Sequence, residues 1–271
     1  MACIRVLFLL SVIVMMPMVV CADADNSGYL KGKIVGKNGE SMEGGKVLIF
    51  SVDAGPPPAN SKYWRAPDHK ADIGSDGVFS AKLPEGKYYL RAIKRVSATK
   101  LGPPEEGDYL YTSRDEKGEA KTHLVKRSET SDIGTVAEAV PFSKSAVQEK
   151  GMTSIEGTVI DTDKKPVVGA VVLAYRTPEM TGRPLFVSQR TGEDGKFSLG
   201  VDREGVYYLK TRNGIGVRPV TGELMGSYGS GDVPRPVTIK TGETVKGIDI
   251  TVTRFTFTRK PGLKPRQTYG Y

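Results

Sequence analysis

The chain has 271 residues, which is enough for two average domains. Its 39 Lys and Arg exceed its 31 Asp and Glu, and its 32 glycines and 17 prolines disfavour a mainly helical fold. Only two cysteines, Cys3 and Cys21, and two histidines are present. Beyond residue 21 the composition therefore excludes a cysteine-ligated zinc, an iron–sulfur cluster, a c-type haem and a histidine-rich metal centre, and we expect no cofactor.

Met1–Ala22 has the features of an export signal. A single charge, Arg5, precedes an apolar run over residues 6–20, and small residues follow it. The run is too short and too interrupted for a membrane-spanning helix, and no later segment is as apolar. The sequence predicts a cleaved signal peptide and a mature chain in the periplasm or at the cell surface, without a transmembrane segment. A lipid anchor on Cys21 is the less favoured alternative, because Val20 stands where a lipobox has a small residue.

The rest of the chain contains one pattern twice. Three blocks recur in the same order, namely 32–50 with 157–175, 76–80 with 194–198, and 86–90 with 205–209. The first pair aligns without a gap and has a glycine at its first and thirteenth positions in both copies. The matching order and nearly equal spacing predict an internal repeat.

Each copy is predicted to consist of short strands joined by turns. Val47–Val52 and Val171–Tyr175 are almost wholly apolar, which is typical of strands covered on both faces. The Asp-Gly pairs at 76–77 and 194–195 predict turns, because glycine takes a positive φ without a steric penalty. Apolar and polar residues alternate after each pair, which indicates a half-buried strand. Short strands at this spacing favour a β-sandwich. The closing strands are predicted near 133–140 and 248–252.

The order G-x-[IV]…G-[GA]-[KV]-V…D-G-x-F-S…G-x-Y-Y-L resembles the carboxypeptidase regulatory-like domain. That family has a transthyretin-like (prealbumin-like), Ig-like sandwich of seven strands. The resemblance implies an all-β chain with two tandem seven-stranded sandwich domains that serve as non-catalytic modules of an exported protein. It implies no catalytic residue. The predicted organisation is a signal peptide (1–22), a first sandwich (28–142), a linker (143–151), a second sandwich (152–258) and a basic disordered tail (259–271).

The two histidines, His69 and His123, are the candidates for a general base. Neither lies in a nucleophile motif, and neither has a counterpart in the second copy. We interpret both as loop histidines and expect no enzyme activity; a hydrolase or a peptidase accessory subunit is the remote alternative. Asp161 and Asp163 resemble the start of a calcium loop, but two lysines follow, so we interpret this segment as a turn and predict no metal site.

The long loops form the predicted ligand-binding surface. In the first copy, two aromatic residues stand between two cations at Lys62, Tyr63, Trp64 and Arg65. Aromatic rings stack on sugars, and cations pair with carboxylates or phosphates. Alternatively, Trp64 covers a sheet edge and meets no ligand. A second pair of long loops contributes the candidates Tyr109, Tyr111 and Tyr228.

The C-terminal tail contains no acidic residue. Its cations are Arg259, Lys260, Lys264 and Arg266. The tail is expected to bind an anionic partner or simply to stay solvated. The sequence as a whole predicts an exported binding or scaffolding protein of the cell envelope that engages a protein partner or surface assembly through its loops and tail. The alternative is a carbohydrate-binding module for an acidic polysaccharide. We expect no nucleic-acid partner, because no recognition motif is present.

Overall fold

The computed structural model describes residues 26–59, 62–97, 102–143, 152–214, 219–230 and 233–256. Every regular element in these ranges is a β-strand, so the predicted all-β class is confirmed. Within the same ranges no helix is long and apolar enough to cross a bilayer. The predicted signal peptide, nearly all of the linker and the basic tail with its four cations lie outside the described residues.

The first eight strands make up what we call the N-terminal half. They are β1 (Ser27–Gly36), β2 (Lys46–Ser51), β3 (His69–Asp72), β4 (Val78–Pro84), β5 (Gly86–Lys94), β6 (Tyr109–Thr112), β7 (Thr122–Val125) and β8 (Thr130–Pro141). There is one strand more than the seven expected, because the chain between β5 and β8 pairs with β5 twice, through β6 and then through β7.

The strands of the N-terminal half follow the order β3-β2-β5-β6-β8-β1-β4, with β7 beside β5. β1 and β8 are parallel, and the other pairs are antiparallel. Buried side chains from β1 and β4 pack in one core with those of β2 and β5. The two ends of the strand path therefore face each other as the layers of a sandwich.

The remaining strands make up the C-terminal half. They are β9 (Thr153–Ile160), β10 (Val171–Tyr175), β11 (Phe186–Val187), β12 (Lys196–Val201), β13 (Gly205–Arg212), β14 (Leu224–Ser227), β15 (Gly229–Ser230), β16 (Val233–Pro234), β17 (Val237–Ile239), β18 (Thr244–Val245), β19 (Ile250–Thr251) and β20 (Thr253–Arg254). One sheet has the order β11-β10-β13-β14-β20 with β17 beside β13, and another has β12-β9-β18 with β19 beside β9.

The strand pairing of the two halves corresponds. The first strand of each half is antiparallel to the fourth and parallel to the closing segment. Gly32 lies opposite Phe79, and Gly157 lies opposite Phe197, so the repeated residues occupy the same register. At Gly157 a Cβ atom would lie 1.8 Å from the carbonyl oxygen of Ile248. Glycine is needed there because the closing segment, paired alongside the first strand, places the Ile248 carbonyl where a Cβ atom would be.

The repeated Asp-Gly pairs form the predicted turns. Gly77 and Gly195 have φ angles of 81° and 68°. The preceding carboxylates accept hydrogen bonds from the backbone N–H two residues later, at 3.0 Å in the N-terminal half and 3.1 Å in the C-terminal half. Tyr88 and Tyr207, in the repeated G-x-Y-Y-L block, each donate a hydrogen bond to the carbonyl oxygen four residues upstream. This contact resembles the tyrosine corner of Ig-like sandwiches.

Each half encloses a hydrophobic core. Leu30 and Phe79 are at most 1% exposed in the core of the N-terminal half, and Ile155 and Leu199 are fully buried in that of the C-terminal half. One buried side chain of the second core, Tyr63, comes from the N-terminal half. The loop that carries it therefore connects the two cores.

Candidate functional site

The loop predicted to bind a ligand lies between the two halves. We call residues 52–68, which join β2 to β3, the bridging loop. Its Tyr63 is 7% exposed and packs edge-on against Phe186 of β11, with ring centroids 5.0 Å apart. The Tyr63 hydroxyl donates to the carbonyl oxygen of Pro57 at 2.8 Å, and burial raises its pKa to about 12. The phenol thus remains a protonated donor and fills the C-terminal core.

The residues after Tyr63 add a short strand to the C-terminal half. Arg65 forms an antiparallel β-bridge with Phe186. Val187 donates its N–H to the carbonyl oxygen of Trp64 at 2.9 Å, and Ala66 donates to the carbonyl oxygen of Leu185 at 3.2 Å. Because β11 is the edge of its sheet, the bridging loop covers backbone groups that would otherwise be open to pairing. We call this contact the seam.

A glycine of the C-terminal half makes room for the loop. A Cβ atom at Gly200 would lie 2.0 Å from the carbonyl oxygen of Lys62. Any larger residue would push the backbone of the bridging loop away from β12. Lys62 itself is exposed, so only its backbone takes part in this contact.

The guanidinium of Arg65 fixes the shape of the bridging loop. One terminal nitrogen donates to the carbonyl oxygens of Gly55 and Pro56 at 2.9 and 2.6 Å. The other donates to the Ser51 carbonyl at 2.7 Å and to the Asp68 carboxylate at 2.8 Å. The side chain is 1% exposed, and burial lowers its pKa although Asp68 opposes the shift. Arg65 therefore ties both ends and the middle of the loop together.

Trp64 and Arg91 stack on the outer face of β5. The Trp64 ring packs edge-on against Phe142 at 5.9 Å, and the Arg91 guanidinium lies 5.0 Å from the Trp64 centroid and 5.9 Å from that of Phe50. Arg91 is 2% exposed, and burial lowers its pKa to about 9. Its Nε donates to the Thr112 hydroxyl at 3.3 Å, but its Nη2 has no hydrogen-bond partner among the described residues. Sequence reasoning missed Arg91, whose only signal is a cation within the apolar run of β5.

The remaining predicted ligand residues do not join this cluster. Tyr111 on β6 is buried in the N-terminal core, and Tyr109 beside it is half-buried. Tyr228 lies in the other half, where Arg235 stacks on its ring at 5.6 Å. The structure thus brings Lys62, Tyr63, Trp64 and Arg65 together at the seam, where the last three pack against protein. A ligand-binding role for these residues stays a prediction.

The two histidines lie in strands, and our prediction of loops was wrong, because four-residue strands are too short to show an alternating pattern. His69 is in β3, and His123 is in β7. The Nε2 of His123 and the Ser113 hydroxyl are hydrogen-bonded at 2.9 Å, and burial, aided by Lys121, lowers the pKa of His123 to about 4. No carboxylate of the described residues hydrogen-bonds its other ring nitrogen, and Ser113 is only 2% exposed, so the pair does not form a triad.

The candidate calcium segment forms a turn. One oxygen of Asp161 accepts hydrogen bonds from the backbone N–H groups of Asp163 and Lys165, both at 2.9 Å. Across the part of the chain that the structure describes, no group of three His, Cys, Asp or Glu side chains is arranged to hold a metal ion.

A shallow open cleft of about 450 Å³ lies on the outer face of β9 and β12. Its lysines are compensated: Lys196 pairs with Asp194 at 3.3 Å, and Lys246 pairs with Glu156 at 3.8 Å. The cleft therefore offers little unbalanced charge to a ligand.

No protein-family model matches the chain, and no curated protein matches it. Solved structures do match. The Bacillus anthracis TIE protein is 18% identical, with 84% of this chain and 34% of that chain covered at a TM-score of 0.25. A streptococcal ancillary pilin is 18% identical, with coverages of 84% and 63% and a TM-score of 0.24. BcpA, the major pilin subunit of Bacillus cereus, is 11% identical, with coverages of 84% and 100% and a TM-score of 0.26. The chain spans only part of the first two proteins.

Proposed function

We propose that this protein is an exported, non-catalytic scaffolding protein of the cell envelope, built from two tandem carboxypeptidase regulatory-like sandwiches. The corresponding strand pairing of the two halves and the register of Gly32 and Gly157 support the tandem arrangement. Arg5 and the apolar run over residues 6–20 support export. The partner is a protein or a surface assembly, which the exposed loops and the basic tail engage.

The observation that carries this proposal is the seam. Tyr63, Trp64 and Arg65 of the bridging loop, which could have formed a ligand site, pack against protein instead: the Tyr63 ring enters the C-terminal core, and the backbone of Arg65 pairs with Phe186. A loop that joins the two halves in this way is more typical of a scaffolding protein, which holds its two halves in a fixed arrangement, than of a protein whose loops close around a small substrate. Among the described residues, the one hydrogen-bonded serine–histidine pair has a buried serine and a half-buried histidine, and it lacks a third member.

Affinity capture from the native envelope fraction tests the partner. The full mature chain is compared with a chain that ends at Thr258 and with one in which the tail cations, Arg259, Lys260, Lys264 and Arg266, are changed to Gln. The proposal predicts that one protein is recovered with the full chain and lost with both variants. Recovery of no envelope component by any of the three chains would contradict it.

The proposal that the protein is non-catalytic has a test of its own. A broad hydrolase screen should give no activity that depends on Ser113 or His123. A turnover that His123→Ala abolishes, with the fold intact by circular dichroism, would show that the protein is an enzyme.

A further inference from the structure

We infer that the outward face of β4, β1 and β8 binds an acidic polysaccharide, an inference that rests on the proposed role as an exported envelope protein. We call it the β1 face. Along β1, Tyr29, Lys31 and Lys33 alternate with the buried Leu30 and Ile34, so all three point away from the core. Tyr29 is 45% exposed, and the Lys31 side chain is 48% exposed.

The neighbouring strands extend this surface. Lys82 of β4 lies opposite Tyr29, and Ser80 lies opposite Lys31, both with exposed side chains. Lys31 pairs with Asp132 of β8 at 3.3 Å, while Lys33 makes no ion pair with any described residue. Because Asp132 is itself half-exposed, its ion pair with Lys31 is weak, and a ligand carboxylate can replace it.

The C-terminal half supplies an internal comparison. Its β9 has the same pairing, but Ser154, Glu156 and Thr158 occupy the positions of Tyr29, Lys31 and Lys33. Ser154 is buried, and Glu156 is an acid paired with Lys246. At the position of Lys82 the second copy has Gly200, which the bridging loop covers. The two faces therefore differ in two respects: the first has the exposed aromatic ring of Tyr29 and a lysine without an ion pair to any described residue, Lys33, whereas the second has a buried serine and lysines that are each paired with a carboxylate.

The chemistry of the β1 face suits an acidic sugar polymer. A phenol ring stacks on the apolar face of a sugar ring, and ammonium groups pair with uronate carboxylates. The hydroxyls of Ser80 and Thr135 lie exposed among the cations and can exchange hydrogen bonds with sugar hydroxyls. Alternate residues along a strand are about 7 Å apart. Lys31 and Lys33 have this separation on an open pleated face, so they can pair with two carboxylates of one extended polymer, whereas such a face does not enclose a single small anion.

The test measures the affinity of the full chain for polygalacturonate by titration calorimetry, with dextran as the neutral polymer. The variant Tyr29→Ser/Lys31→Gln/Lys33→Thr introduces the second copy's residues at two of its positions and a neutral one at the third. It should bind polygalacturonate about tenfold more weakly, since each exposed ion pair contributes at most about fivefold. The matched control, Lys196→Ser/Lys246→Ser, removes two lysines from the equivalent face and should bind as the wild type does. Binding should weaken as salt rises, and dextran should not bind.

Further measurements distinguish binding by the β1 face from binding by the basic tail, and a polysaccharide ligand from an anionic lipid surface. A chain ending at Thr258 should keep the difference between the two variants, which shows that the tail is not responsible. If the triple variant fails to fold, Lys33→Thr alone should weaken binding by about twofold to fivefold. Equal losses in the triple variant and the control would overturn the inference. So would vesicles of phosphatidylglycerol that bind in the same face-dependent way while polygalacturonate does not.

The inference and the proposed function can fail separately. If the wild-type protein does not bind polygalacturonate at physiological salt but still recovers an envelope protein in the affinity capture, the inference alone is overturned. Protein that binds polygalacturonate through the β1 face but recovers no protein would overturn the proposed protein partner alone.

Discussion

At the scale of single residues, the two buried arginines that contact the bridging loop, Arg65 within it and Arg91 beneath Trp64, differ in what surrounds their guanidinium groups. Arg65 donates to three backbone carbonyls and one carboxylate, whereas Arg91 donates to one hydroxyl and stacks between two aromatic rings. A buried cation without full hydrogen bonding loses more hydration than it regains. We therefore expect the Arg65 side chain to stabilise the fold and the Arg91 side chain to be neutral or destabilising.

Substitution of Arg91 by Met should leave the free energy of unfolding unchanged or raise it by up to about 2 kcal/mol, because the desolvated, incompletely bonded charge is removed. The matched change Arg65→Met should lower it by about 3–5 kcal/mol, because buried carbonyls and Asp68 lose their partner. Urea unfolding at neutral pH measures both. A loss for Arg91→Met as large as that for Arg65→Met would contradict this interpretation.

His123 should make the protein less stable in weak acid. Its pKa in the folded state is about 4, against an ordinary value of 6.5, because burial and then Lys121 disfavour the charged form. Between these values the unfolded chain binds a proton that the folded protein does not. The contribution of His123 is thus fully present above pH 6.5 and is lost as pH falls through about 4.

The variant His123→Gln isolates this effect, because glutamine can still hydrogen-bond Ser113 but does not titrate. Urea midpoints should fall more steeply from pH 7 to pH 4.5 in the wild type than in the variant. The lowered pKa of His69 affects both proteins alike. Parallel pH profiles would show that His123 is not the titrating group.

At the scale of elements, the repeated glycines differ in what they accommodate. Gly157 lies under the carbonyl of Ile248, so an added Cβ meets backbone. Gly169 has a φ of 77° and open space around its Cβ position, so an added methyl group contacts nothing and costs only the strain of the left-handed backbone conformation. The same residue type thus serves close packing at one position and a turn at the other.

Gly157→Ala should lower the free energy of unfolding by about 3 kcal/mol, because the closing segment must move off β9. Gly169→Ala should cost about 1–2 kcal/mol, the penalty of a left-handed conformation. Urea unfolding of both variants gives the comparison. Because Gly157 does not have a positive φ, a cost for Gly157→Ala no larger than that for Gly169→Ala would contradict the contact with Ile248 as the reason for glycine at position 157.

Much of the element structure could be predicted from the sequence, because strands and turns depend on local patterns. The runs at 47–52 and 171–175 and both Asp-Gly turns lie where they were expected. The bridging loop could not be predicted, because Tyr63 and Phe186 are far apart in sequence and neither belongs to a periodic pattern. The burial of Arg91 was missed for the same reason, since Trp64, which covers it, belongs to that loop.

At the scale of the whole molecule, the bridging loop of the N-terminal half contributes a buried side chain to the hydrophobic core of the C-terminal half. Tyr63 fills that core, and Trp64 and Ala66 complete the edge of its sheet. Interfaces between halves of a chain are often small and allow relative motion. A shared core residue and a shared sheet edge oppose such motion and couple the stabilities of the two halves.

The measurement that tests this coupling most directly is hydrogen exchange under increasing urea on the wild type, Tyr63→Phe and Tyr63→Ala. In the wild type, amides of β2 and β10 should become exchangeable in one transition. Tyr63→Phe loses only the hydrogen bond to Pro57, about 1 kcal/mol, and should keep that single transition. Tyr63→Ala should destabilise β10 by about 3–5 kcal/mol, leave β2 nearly unchanged and separate the two transitions. Two separate transitions already in the wild type, or no selective effect of Tyr63→Ala on the C-terminal half, would contradict the central claim that the bridging loop couples the stabilities of the two halves.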